Sequence, residues 1–279
     1  MGIGQIGNQL NLFNISKNIM AEFNLSAREI QTNWKTFRHL MNECFPTRSA
    51  QLNKMYDDLE ERAIMAPASS FEYFHNAIPG GYVDHVLRMY QFSIEFYEFW
   101  KKFGMIIDTF TLEELSFAAL HHDLGKLGLP GLGKEHYQPE SEKWWRDNRG
   151  RMYKSNPNNP WLTTADTSIY LLNYYQIPYS LNEMLGIRLT DGMYDEANKG
   201  YLSGFNLDTK LRSNLPYILH QGDIMAFRWE FERWAKSTGK FTFGNEPGQT
   251  SKPIVKPEEV TKPVTENPMD AFNKLFPGA

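Results

Sequence analysis

The sequence predicts an all-α fold, on three observations. Apolar residues recur at three- and four-residue steps over most of the chain, which is the period of a helix with one buried face. Three Ser/Thr-x-x-Glu capping boxes, Ser26 with Glu29, Thr111 with Glu114 and Ser180 with Glu183, mark helix starts. Pro46, Pro67 and the run Pro79-Gly80-Gly81 fall between the periodic segments, where residues that cannot continue a helix belong.

Residues 1–24 form a weakly patterned lead-in. Within them the segment 9–13, opening with Gln9 and closing with Phe13, resembles the short peptide that docks into bacterial sliding clamps, or else packs on its own domain. The first expected helix starts at Ser26 and turns Ile30, Trp34, Phe37, Leu40, Met41 and Cys44 to one side. A second opens at Thr47, with Leu52, Met55, Tyr56 and Leu59 inward and Asp57, Asp58, Glu60, Glu61 and Arg62 outward. These N-terminal helices cover 25–66. A main domain follows over 67–236. After Gly81 a long helix is expected over about 82–103, carrying Val83, Val86, Leu87, Tyr90, Ile94, Tyr97 and Trp100. The next starts at Thr111 and buries Leu112, Leu115, Phe117, Ala118, Ala119 and Leu120. Between Leu129 and Trp161 the period is lost in Gly and Pro, with Trp144, Trp145, Tyr153 and Trp161 set among Arg146, Arg149, Arg151 and Lys154. Helices return over 163–175, from Ser180 to Leu189, and after Pro216. From 237 onward the composition turns to Gly, Pro, Lys, Thr and Glu, a flexible tail. It ends in an apolar cluster over 269–276 (Met269, Phe272, Leu275, Phe276), read as a peptide for a partner protein's groove.

Composition bounds the function. At 279 residues, with 41% hydrophobic content, the chain can bury one sizeable core. A net charge of -4 leaves no global basic footprint of a duplex-binding protein. The single cysteine, Cys44, excludes a disulfide framework and a cysteine-based zinc cluster and suits a reducing compartment. No stretch reaches the ~18 apolar residues of a membrane span, and the first ten residues lack the basic and apolar regions of a signal peptide. The expectation is a cytoplasmic chain with no membrane contact.

The chemistry gathers at His121-His122-Asp123-Leu124-Gly125-Lys126. A helix to be buried does not end in two histidines and an aspartate without compensation, because a buried charge costs several kcal/mol unless paired or bound to metal. Imidazole beside carboxylate is a natural divalent-metal pair. Gly125 stops the helix, and Lys126 follows where an anion near the metal is met. His85 precedes His122 by 37 residues, the length of helix, turn and helix, so antiparallel neighbours bring them together. His220 and Asp223 stand three apart in an apolar helix and so share a face; an aspartate there again calls for a metal.

Assembled, these residues resemble the HD superfamily of metal-dependent phosphohydrolases. The likeness rests on His85, His122-Asp123 and Asp223 in order, within the stretches Gly-Gly-Tyr-Val-Asp-His (80–85), His-Asp-Leu-Gly-Lys (122–126) and Leu-His-Gln-Gly-Asp (219–223). It spans about 67–234, and HD proteins of tailed phages are similar, which would mean a host cytoplasm. The resemblance implies an HD-type helical bundle with an N-terminal extension, and His85, His122, Asp123 and Asp223 as metal ligands. Relatives with two or three metals insert more histidines, whereas only His136 lies in that interval here, and Asp191-Gly192 stands where they read His-His-Gly or His-Asp-Gly. One metal is expected, with Asp191 positioning water or a weaker second cation. Such a site takes Mn, Mg, Fe, Co, Ni or Zn.

The expected reaction is attack of metal-activated water on a nucleotide phosphate ester or anhydride. Lys126 would hold a non-bridging oxygen, and His75, Asp191 or His121 would move the proton unless His121 faces the core. Arg146, Arg149, Trp145 and His220 are the candidate substrate-binding residues, since flat rings among cations suit a base and its phosphates; the loop that carries the first three reads equally as a lid folded over its own cluster. Two alternatives stand beside this. One is 3'-5' cleavage of single-stranded nucleic acid, for which His75 and Ala66-Pro67-Ala68-Ser69 resemble exonuclease-like members. The other is a non-catalytic adaptor.

Overall fold

The computed structural model describes residues 24–131, 135–204 and 206–244. The peptides at 9–13 and 269–276, and most of the expected tail, lie outside the described residues. The chain divides into two units, Met1–Phe241 and Thr242–Ala279. Every helix and strand of the described residues belongs to the first unit.

The fold is all-α. Helix α1 (Ala27–Cys44) starts at the Ser26–Glu29 capping box and buries Trp34, Phe37, Leu40, Met41 and Cys44. The single helix expected after Pro46 is two, α2 (Ser49–Asp58) and α3 (Glu60–Met65). The break is at Leu59, whose backbone leaves the helical region at φ -105° and whose side chain is 1% exposed. Helix α4 (Gly81–Lys102) follows Gly80, which takes φ 75°, and its first ten residues, 81–90, are all buried. Gly81 is required by space: a Cβ there would lie 2.1 Å from the Asn76 carbonyl oxygen.

Helix α5 (Leu112–His121) starts at the Thr111–Glu114 capping box. It ends earlier than expected, because Asp123 leaves the helix at φ -102° and a 3-10 turn takes over at Leu124–Leu127. Gly125 is therefore not the helix stop. Its backbone N–H donates to Ser168 Oγ at 2.8 Å, and a Cβ would meet the Thr164 carbonyl oxygen at 2.2 Å, so glycine permits the close approach of α7 (Thr164–Tyr174). The segment read as structureless holds a small antiparallel hairpin, β1 (Tyr137–Pro139) with β2 (Tyr153–Ser155), enclosing α6 (Lys143–Arg149). Strands of three residues are too short for a period to show.

Helix α8 (Leu181–Leu189) carries the third capping box, and the short α9 (Lys199–Leu202) follows two 3-10 turns. Helix α10 (Leu215–Thr238) runs past the expected boundary at 236. It packs antiparallel along α4. Glu230 lies against His85, Gly222 against Ser93 and Gln221 against Trp100. One apolar core joins α1–α3 to α4, α5, α7, α8 and α10, so the N-terminal helices are part of the main body. Among the described residues no helix is long and apolar enough to cross a membrane.

Candidate metal centre

Three helices far apart in sequence deliver the centre. His85 sits one turn into α4, His122 caps α5 and Asp223 lies mid-way along α10. Their ligand atoms all fall within 4.8 Å of one another. His85 Nε2 is 3.2 Å from Asp223 Oδ1, and His122 Nε2 is 3.8 Å from the same oxygen. Asp123 Oδ2 stands 3.5 Å from His85 Nε2 and 3.4 Å from His122 Nε2. Adjacent ligands at 2.0–2.2 Å from one ion are separated by roughly 3.0–3.5 Å. The His85–Asp223 pair has that spacing, while the 3.8 Å pair and the 4.8 Å limit are wider, so the three residues could hold a cation once drawn closer.

The tautomers fit as well. His122 Nδ1 lies 2.8 Å from the Ala119 carbonyl oxygen and must carry the proton that donates to it, leaving Nε2 as a bare lone pair. That Nε2 and Asp123 Oδ2 are buried without a hydrogen bond, which interiors rarely tolerate. Lys126 Nζ is 2.5 Å from Asp123 Oδ2, a close ionic contact. The two imidazoles and the Asp223 carboxylate are a donor set that could hold a divalent cation of the Mn, Fe, Co, Ni, Zn or Mg class, while Asp123 beside them is in contact with Lys126.

Behind His85 stands a buried ionic network. Glu230, 0% exposed, places its carboxylate 3.1 Å from His85 Nδ1. Arg88 Nη1 donates to Glu230 Oε1 and to Asp84 Oδ2, both at 2.8 Å, and its guanidinium lies 4.1 Å over the Trp229 ring. Asn76 and Asn33 donate to the two Asp84 oxygens. Burial pushes the His85 imidazole down, but Glu230 and Asp223 outweigh it and raise it to about 10. Glu230 and Arg88 escape a reading of the sequence that stops at ligand spacing. The signal for Glu230 was its place seven residues after Asp223, two turns along the same face.

The other candidates fall around this cluster. Burial lowers Lys126, yet Asp123 outweighs it and holds the ammonium well above its ordinary value; Nζ also lies 3.4 Å from His75 Nε2. The His75 ring packs 4.9 Å from His85, and burial with the Lys126 charge holds it neutral, well below the usual histidine range. Asp191 stands at the mouth, its outer side open to solvent. Desolvation of its inner side, then Asp123 and Asp223, pushes its carboxyl up. His121 faces the core, between Phe117 and Tyr56. His220 Nδ1 bonds the Thr190 carbonyl at 2.7 Å, pinning the turn that carries Asp191. Arg146, Arg149 and Trp145 are engaged within the hairpin. Arg146 donates to the Glu140 carbonyl, Arg149 lies over Trp144, and Trp145 is covered by Arg151 at 3.9 Å. The hairpin residues electrostatically coupled to Lys126 are His136 and Tyr137. Beyond Lys126 a cavity of about 840 Å³ opens between α2–α3 and the hairpin, lined by Asp57, Asp58, Glu60, Glu61 and Glu135 as well as Arg62. Compared with protein-family models, curated proteins and solved structures, the chain finds no match.

Proposed function

We propose that the chain is a metal-dependent phosphohydrolase that cleaves a phosphate ester or anhydride of a nucleotide. One observation carries the reading. Buried ligand atoms of His85, His122 and Asp223, brought from three helices, converge with Asp123 beside them, and the His122 Nε2 lone pair points into the gap without a partner. Its resemblance to the HD superfamily supplies the reaction class.

His85, His122, Asp123 and Asp223 would hold the cation. Bound there, a divalent ion would supply Lewis acidity toward water and the phosphoryl group. The chain's own groups do the rest. Lys126, charged and adjacent to Asp123, donates to a non-bridging phosphoryl oxygen as negative charge builds there. Asp191, with its carboxyl raised toward neutrality, takes and returns the proton. His75 is neutral and receives the Lys126 ammonium, which fixes the direction in which Lys126 points. Glu230 orients His85 so that Nε2 faces Asp223, where a bound cation would take the place of the Nε2 proton.

The test is a panel of nucleoside mono- and triphosphates and a labelled single-stranded oligonucleotide, assayed with manganese. Release of phosphate from a nucleotide, lost in His122→Ala, supports the reading. Stepwise shortening of the oligonucleotide without nucleotide hydrolysis replaces it with a nuclease. Absence of both, with metal bound, leaves an adaptor.

A further inference from the structure

Helix α10 presents His220, Asp223, Phe227 and Glu230 at three- and four-residue steps, on one face. Asp223 and Glu230 belong to the centre. His220 and Phe227 flank Asp223, one turn before it and one turn after. The Tyr194 ring lies 6.2 Å from His220 and 6.5 Å from Phe227, the latter at 81°, so it arches across the turn that carries Asp223. Phe227 in turn lies 6.4 Å from His75, which packs on His85.

This is the accessible side of the centre. Side-chain exposure rises from 1% at His85 and 4% at His122 to 19% at Asp223. A single exposed tyrosine means nothing by itself, and Tyr194 is 78% exposed. Its turn, however, is held tightly. His220 bonds the Thr190 carbonyl, the Tyr194 N–H donates to the Asp191 carbonyl at 3.1 Å, and Gly192 takes φ 55° against the His220 ring. A Cβ on Gly192 would lie 2.2 Å from that ring. The chain thus fixes an aromatic corner in water beside the largely buried His85–His122–Asp223 cluster.

We propose that Tyr194 and Phe227 form the subsite for the planar base of a mononucleotide, which lies on the Phe227 face with its edge to Tyr194 and directs its phosphate toward Asp223 and His122. This rests on the nucleotide-hydrolase reading and adds the group recognised. One corner of two rings takes one base. A strand continuing past Lys126 would enter the cavity lined by five carboxylates, Asp57, Asp58, Glu60, Glu61 and Glu135, against two cations, Arg62 and Lys126, where further phosphates meet a surplus of like charge. A mononucleotide has no phosphate to place there.

The test uses the full chain and its Tyr194→Ala, Tyr194→Phe and Phe227→Leu variants. Adenosine binding to the metal-free protein is followed by ligand-observed NMR, and kcat/KM for 5'-AMP is compared with that for ribose 5-phosphate. Adenosine affinity and the ratio of the two kcat/KM values are expected to fall about tenfold in Tyr194→Ala and in Phe227→Leu, the scale of one lost stacking contact. Tyr194→Phe restores both. Adenosine binding unaltered by these variants, or absent from the wild type at millimolar concentration, overturns the subsite. An oligothymidylate that binds more tightly than 5'-AMP and depends on the same rings overturns the mononucleotide in favour of a strand. If adenosine binds at the rings but no phosphate ester is hydrolysed, the subsite stands and the hydrolase reading fails.

Discussion

Glu230 Oε2 stands 3.1 Å from His85 Nδ1, while Glu230 Oε1 accepts from Arg88 at 2.8 Å. One fully buried carboxylate therefore bridges a candidate metal ligand and a counter-charge, with Oε1 shared between Arg88 and His85 Nδ1, the latter at 3.2 Å. The contact fixes which imidazole nitrogen is protonated, and it raises the basicity of the nitrogen facing Asp223. Glu230→Gln keeps the volume and the donor–acceptor reach but removes the charge. Manganese affinity is expected to fall between about tenfold and a hundredfold, measured by titration. Glu230→Ala has a further consequence: Arg88 is left buried with half its ion pairs, and unfolding free energy is expected to drop by about 3–5 kcal/mol. Urea melts separate the two variants.

His122 Nε2 and Asp223 Oδ1 supply ligand atoms from different helices. His122→Ala and Asp223→Ala should each abolish stoichiometric metal while leaving the helical circular dichroism spectrum largely unchanged, since neither side chain is part of the apolar core. Metal analysis after dialysis decides it. A full equivalent of metal in both variants would remove the assignment.

The legibility of this site in the sequence depends on distance along the chain. Capping boxes are local, so Ser26, Thr111 and Ser180 start their helices where expected. His85, His122 and Asp223 are legible because each is a polar residue inside an apolar run. Glu230 is not, because it sits among Arg228, Glu232 and Arg233 and looks like part of a solvated face. Its 0% exposure beside a Glu232 side chain at 40% is decided by the packing of α4, which no local pattern records. The pairing of Lys126 with Asp123 lies within one turn. It differs from Glu230 in being local: a 3-10 turn replaces the expected helical end, and residues three apart such as 123 and 126 are neighbours in either geometry.

Lys126 holds Asp123 at 2.5 Å, and under the proposed function it also acts on substrate. Lys126→Met retains the aliphatic stem and removes the charge. Turnover is expected to fall at least about tenfold, equivalent to roughly 1.4 kcal/mol of transition-state stabilisation. Metal should remain bound, because a cation beside Asp123 competes with a metal rather than recruiting one. Steady-state kinetics with parallel metal analysis reads both effects. Unaltered turnover would mean that Lys126 serves Asp123 alone.

His121, next in sequence to His122, makes the last prediction, and it concerns stability rather than catalysis. Its ring stacks 4.2 Å from Phe117, Nδ1 lies 2.8 Å from the Phe117 carbonyl, and Nε2 is buried without a partner. Burial is the chief cause that lowers this imidazole from 6.5 to about 3, with Arg48 adding to it. The unfolded chain therefore takes up the proton near pH 6.5, and the folded chain does so only near 3. Between these values the unfolded state binds more protons, so stability rises with pH across the window. The contribution is complete above about pH 7 and is lost at up to roughly 1.4 kcal/mol per unit as the pH falls toward 3. Carboxylates titrate in the same range, so the measurement is a difference. His121→Asn cannot titrate there, and its unfolding free energy should fall less steeply than that of the wild type between pH 6 and 4 in urea melts at each pH. Parallel curves for the two proteins would show that His121 is protonated in the fold, with its Nε2 bonded inside the core.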